Sequence, residues 1–177
     1  MHKHMYASIP CEFDVTGEGK GFVVERVNHQ GMFMVGGPIE RKGRLRYING
    51  ATDSLIISPP RKGDPCLNVL FFPPRTVQTP HTHPSPRVGL VVEGRGRCVT
   101  PYGTFDLSPE MIFMVREGTN GPEGIHSFET DDSPLVVIVF HPDTDFGPED
   151  ENHPMINRTI VEGVSAASIK EIQTKTL

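Results

Sequence analysis

Residues 80–94 read PHTHPSPRVGLVVEG. His81 and His83 are separated by one residue and flanked by Pro80 and Pro84. On an extended segment, residues i and i+2 project to the same face. The two imidazoles therefore share one space, a pairing that suits iron, copper, nickel or zinc. A site needs a third ligand, and the candidate is His126, in the stretch PEGIHSF. His-x-His pairs also occur as ordinary surface or core histidines. Here the context singles the pair out: an apolar run, Leu67 to Phe72, precedes it, and a Val-rich strand ending in a Glu93-Gly94 turn follows.

Outward from this stretch the chain reads as all-β. Strand-like runs fall at Phe22–Val27, Met32–Val35, Arg44–Ile48, Ser54–Ser58, Leu67–Phe72, Val88–Glu93, Arg97–Thr100, Thr104–Leu107, Met111–Val115, Ser127–Glu129 and Leu135–Phe140, with a last one near Thr159–Glu162. Turns separate them at short intervals, among them Asn49-Gly50, Pro101–Gly103, Gly118–Gly124 and Asp131–Pro134. Many short strands at this spacing indicate a sandwich or barrel. Residues 1–20 read as a loosely held arm, 21–162 as one barrel domain, and 163–177 as a tail. A short helix is expected at Ser165–Gln173, with Ser165 as its N-cap. The polar loop 141–154 carries Asp143, Asp145, Asp150 and His153, a candidate cation group whose spacing is not that of an EF-hand.

A chain of 177 residues is long enough for one domain with a real core. Its net charge of −5 argues against a nucleic-acid partner. No apolar run reaches the roughly 18 residues of a membrane span, so no membrane partner is expected. The N-terminal stretch MHKHMYASIPCEFD lacks the apolar core of a signal peptide, and a cytoplasmic location is expected. Cys11, Cys66 and Cys98 are odd in number and have no CxxC spacing, which speaks against a disulfide framework or a zinc ribbon.

The sequence resembles the cupin superfamily over roughly residues 66–142. His81 and His83 match the His-x-His of the first cupin motif, and Gly94 matches its closing Gly. The opening Gly of that motif falls on Arg75 and its Glu on Arg87. Pro122, Gly124 and His126 match the Pro-x-Gly and His of the second motif, while Thr130 stands at its Asn and the loop before His126 is longer than usual. The resemblance implies an antiparallel jelly-roll barrel, a divalent transition metal held by His81, His83 and His126, and a homodimer. Fe(II) is favoured as the metal, with Zn, Ni, Mn or Cu as alternatives.

Arg87 in place of the motif Glu alters the electrostatics. A guanidinium cannot ligate metal and stays charged. Three neutral imidazoles, a 2+ ion and an Arg leave the site electropositive, so something anionic is expected to relieve it. One source is a carboxylate substrate docked bidentately on Arg87; another is Glu110, Glu117 or Glu123. Arg75 shares the parity of His81 and is a second substrate-binding candidate, although a surface Arg at a strand end is the plainer reading of the same residue. His141 ends LVVIVFH and is a candidate fourth imidazole or supporting donor, although a His at the edge of a loop reads the same way. The functional expectation is a metal-dependent enzyme acting on a small anionic organic molecule, of the non-haem Fe(II) dioxygenase type that three-His cupins suggest. The alternative is a non-catalytic binding or sensing module.

Overall fold

The computed structural model describes residues 4–118, 121–151 and 153–175. Residues 119 and 120 of the expected Gly118–Gly124 turn, and residue 152 of the polar loop, lie outside the described residues. In chain order the strands are β1 (Tyr6–Ser8), β2 (Met34–Gly36), β3 (Leu45–Arg46), β4 (Thr52–Ile57), β5 (Cys66–Phe72), β6 (Arg87–Gly94), β7 (Gly96–Thr100), β8 (Gly103–Leu107), β9 (Ile112–Val115), β10 (Ser127–Glu129), β11 (Leu135–His141), β12 (Ile160–Val161) and β13 (Val164–Ser165). One helix, α1 (Pro154–Arg158), lies before β12.

A six-stranded antiparallel sheet of order β3-β4-β5-β11-β6-β9 packs against a three-stranded sheet of order β10-β7-β8. The inner faces meet in one cluster. Phe72, Val91, Leu135, Val137 and Val139 come from the large sheet, and Cys98, Leu107 and Phe128 from the small one. Phe72, Leu135 and Val137 are fully buried, and each such side chain contributes about 1.5–3 kcal/mol of hydrophobic stabilisation. This is the all-β architecture that the strand spacing led us to expect, in the antiparallel jelly-roll form that the resemblance implied.

The centre of the large sheet is buried on both sides. Val69, Val136 and Ile138 face outward, and Phe22 and Ile39 from the N-terminal third cover them. That explains why β11 reads as the continuous apolar run LVVIVF rather than an alternating one. β6 alternates instead: Arg87, Gly89 and Val91 are buried, while Val88, Leu90 and Val92 are half-buried. The turn at Asn49-Gly50 joins β3 to β4 with both residues at positive φ (54° and 84°), as a tight hairpin turn requires. Gly94 ends β6 at φ 80°, and a Cβ there would stand 1.8 Å from the Pro134 carbonyl oxygen. Only glycine fits, which accounts for the closing Gly of the motif.

Several expectations are corrected. Phe22–Val27 forms no strand; Phe22 packs on the large sheet while Val23 and Val27 are exposed. Part of the expected arm is ordered, since β1 pairs with β2 in a separate ribbon. The expected helix at 165–173 is two 3-10 turns, Ala166–Ser168 and Lys170–Ile172. Ser165 does cap the first by accepting from the Ala167 amide. The α-helical turn comes earlier, where Pro154 opens it and the His153 side chain accepts from the Met155 and Ile156 amides. In Met111–Val115, Phe113 packs against the core and Val115 is buried, but Ile112 and Met114 are exposed on an edge strand.

Candidate metal centre

The segment leading into β6 runs antiparallel to the one leading into β10. Val77 bridges Glu129 and His81 bridges His126. His81 and His126 exchange both backbone bonds, each 3.0 Å. Residues paired in this way face each other across the ladder and project to the same side. His83 follows two residues after His81 on that side. The third imidazole therefore converges because it stands directly opposite the first. The Gly118 amide donates to the His83 carbonyl at 3.0 Å and closes the ladder beyond.

The three rings lie at centroid separations of 4.5 Å (His81–His126), 5.1 Å (His81–His83) and 5.1 Å (His83–His126). Their ligand nitrogens all fall within 4.8 Å of one another, so the group could hold a metal ion. His81 Nδ1 lies 2.9 Å from the Thr79 carbonyl, and His126 Nδ1 lies 2.9 Å from the Gly124 carbonyl. A carbonyl only accepts, so both Nδ1 atoms carry the proton and both Nε2 atoms keep a lone pair. Burial, then the Arg87 charge and the neighbouring rings, pushes the His83 pKa down to about 3. Burial also lowers His126, against the opposing bond to Gly124. Three converging imidazoles, two of them oriented by carbonyls, make a donor set that fits a first-row divalent ion. The Tyr47 hydroxyl lies 3.2 Å from His81 Nε2 and donates to it; burial holds this phenol above its ordinary pKa.

Arg87 is 9% exposed and faces inward at the start of β6. Among the described residues every hydrogen bond it makes leaves from Nη1: to the Ser85 hydroxyl, to the Ser85 carbonyl at 2.9 Å and to the Pro86 carbonyl at 3.2 Å. The Ser85 hydroxyl in turn donates to Asp143. Asp143 is thus the anionic counterpart of Arg87, reached through one serine. The glutamates do not take that role: Glu110 pairs with Lys20 at the surface, and Asp143 is the carboxylate that chiefly offsets the Arg87 charge.

Arg75 is corrected as a site residue. It sits at φ 62° with its side chain 84% exposed, paired to Asp132 at 3.4 Å. Positive φ breaks the strand parity that would have turned it inward. His141 faces the interior beside Arg87 and lines the cavity there, outside the three-histidine group. Burial and Arg87 push its pKa down to about 4, against the opposing Asp143. The four acidic-loop candidates do not assemble among the described residues. Asp143 serves Ser85, Asp150 meets Arg61 at 3.5 Å, and His153 caps α1.

Sequence reasoning passed over Tyr47, Asp53 and Ser85 and gave Cys66 no place beside Arg87. Strand parity was the available signal: Cys66 and Asn68 alternate with outward Leu67 and Val69, and Ser85 stands two residues before Arg87.

No family model and no curated protein matches the sequence. Among solved structures the chain is similar to a cupin-like protein from Thermotoga maritima, at 16% identity over 63% of this chain and 86% of that one, with TM-score 0.50. It is also similar to the polyketide cyclase RemF from Streptomyces resistomycificus (18% identity, 64% and 82% covered, TM-score 0.49). KdgF from Halomonas sp. is a third (26% identity, 54% and 83% covered, TM-score 0.43). The Thermotoga likeness, together with the two facing antiparallel sheets, shows that the chain has the cupin fold. Among the described residues no helix is long and apolar enough to cross a membrane.

Proposed function

We propose that the protein is a metal-dependent enzyme acting on a small anionic organic molecule, and that it is an oxidoreductase of the non-haem Fe(II) dioxygenase type. The observation that supports this reading is a group of three converging imidazoles next to a buried guanidinium with one edge free. His81, His83 and His126 would hold the ion. When bound, divalent iron in an all-imidazole set supplies open positions and the redox chemistry that oxygen requires.

The chain's own residues do the rest. None of the three rings brings negative charge, so the site attracts an anion. Arg87 binds a carboxylate through the edge that Nη1 leaves free. Ser85 and Asp143 fix the guanidinium plane, so little side-chain freedom is lost on binding. Tyr47 keeps its proton, and once the His81 Nε2 lone pair is given to the ion its hydroxyl would turn from that nitrogen to an oxygen of the bound molecule. Leu45 and Leu55 add apolar surface to the cavity that Arg87 lines.

Oxygen uptake by the Fe(II)-loaded protein against a panel of small carboxylates, thiols and diketones tests this reading. Uptake with a carboxylate, lost in His81→Ala, is expected. Saturable binding with no consumption of oxygen or ligand would make the protein a binding or sensing module instead.

A further inference from the structure

A cavity of about 540 Å³ opens beside Pro84 and runs into the barrel between the β4–β5 side and the β6–β11 side. Arg87, Asp53, Asn68, Cys66 and His141 supply the polar lining on the strands, and Asp143, Thr144 and Asp145 supply it from the loop that follows β11. Two of these residues each carry a buried polar atom with no hydrogen-bond partner: Arg87 Nε, a donor, and Asp53 Oδ1, an acceptor. They do not satisfy each other, and among the described residues no ion pair joins Arg87 to Asp53. Cys66 lies close enough to feel both charges.

The remainder of each group is tied down. Arg87 is held through Nη1 by Ser85 and Pro86. Asp53 is held through Oδ2, which accepts from Asn68 Nδ2 at 2.8 Å. Buried polar groups are ordinarily paired. One unpaired donor and one unpaired acceptor, on two residues that line one cavity and are each held at their other end, describe a complement with an acceptor at one end and a donor at the other. A plain carboxylate would answer Arg87 and leave Asp53 unmet. A plain amine would do the reverse.

We propose that this cavity takes a small molecule bearing both a carboxylate, which seats on the free edge of Arg87, and a hydrogen-bond donor, ammonium or hydroxyl, which seats on Asp53: the chemistry of an amino acid or a hydroxy acid. The inference rests on the reading of the site as one for a small anionic molecule and narrows its ligand class.

Calorimetric titration with four probes on one skeleton tests it. 3-Phenylpropionate carries only the carboxylate, phenethylamine only the donor, and phenylalanine and 3-phenyllactate carry both. At least one two-ended probe should bind tenfold or more tightly than either single-ended one, and which of the two wins tells ammonium from hydroxyl. Asp53→Asn should erase that advantage and leave 3-phenylpropionate unchanged. Arg87→Gln should weaken every carboxylate probe at least tenfold and spare phenethylamine. The inference is overturned if 3-phenylpropionate binds the unaltered protein as tightly as both two-ended probes, if Asp53→Asn leaves the ratio unchanged, or if no probe binds. The four titrations of the unaltered protein decide between these outcomes even if a variant folds poorly. Metal content measured on the same samples separates the two readings: bound metal without the two-ended preference sinks only the cavity inference, and the preference without metal sinks only the metal-dependent enzyme.

Discussion

Acidification of the metal-free protein should unfold it along a defined slope. His83 sits at about 3 in the folded chain and His141 at about 4, against an ordinary imidazole value of 6.5. Between those limits the folded rings are neutral while the unfolded ones are protonated. The unfolded state binds more protons there, so stability rises with pH through the window and levels off above about 6.5. Each such proton is worth about 1.4 kcal/mol per pH unit, so the pair gives at most ~2.7 kcal/mol per unit. Both rings retain some solvent exposure, and screening by that solvent weakens the effect. We therefore expect about half the maximum, ~1.4 kcal/mol per unit. Asp53, whose carboxyl burial pushes up, acts with the opposite sign nearer its own range. The quantity to read is thus the difference between the unaltered chain and His83→Asn/His141→Asn, both chelator-treated, in urea titrations from pH 4.5 to 7.5. Equal slopes in the two proteins, or a stability that falls as pH rises to 6.5, would refute the claim that these imidazoles are held neutral by the fold.

Gly94→Ala should cost several kcal/mol or abolish soluble expression, because a Cβ at φ 80° meets the Pro134 carbonyl at 1.8 Å; the urea midpoint measures it. Arg75→Ala should leave metal content and ligand binding unchanged and shift stability by no more than about 1 kcal/mol, as its ion pair is fully at the surface. Arg87→Glu should tighten metal retention against a chelator and weaken anion binding, since it replaces a repelling charge by an attracting one. If neither property moves, Arg87 does not act on the centre.

Much of this was legible in the sequence because its causes are local. His-x-His between prolines fixes an extended segment, and extended segments put i and i+2 on one side, so two ligands followed at once. Gly94 was legible through the motif and is required by the chain's own backbone at Pro134. His126 was placed by the resemblance, and its register opposite His81 rests on a pairing between segments far apart in sequence. The cavity was not legible. Asp53, Cys66, Arg87 and His141 come from different strands, and only the sheet order brings them together. Phe22–Val27 misled because β-branched residues favour strands without supplying a partner edge. Here only Phe22 reaches the outside of a finished sheet, and Val23 and Val27 stay exposed. Arg75 misled for a related reason: parity holds only while the chain stays extended, and its φ of 62° ends that.

The central claim is that His81, His83 and His126 form one metal site. Elemental analysis of the purified chain beside His126→Ala, with folding checked by urea titration, tests it most directly. About one equivalent of a first-row transition metal per chain is expected in the unaltered protein, and essentially none in the variant. Absence of metal from both, or its full retention by the variant, would contradict the claim.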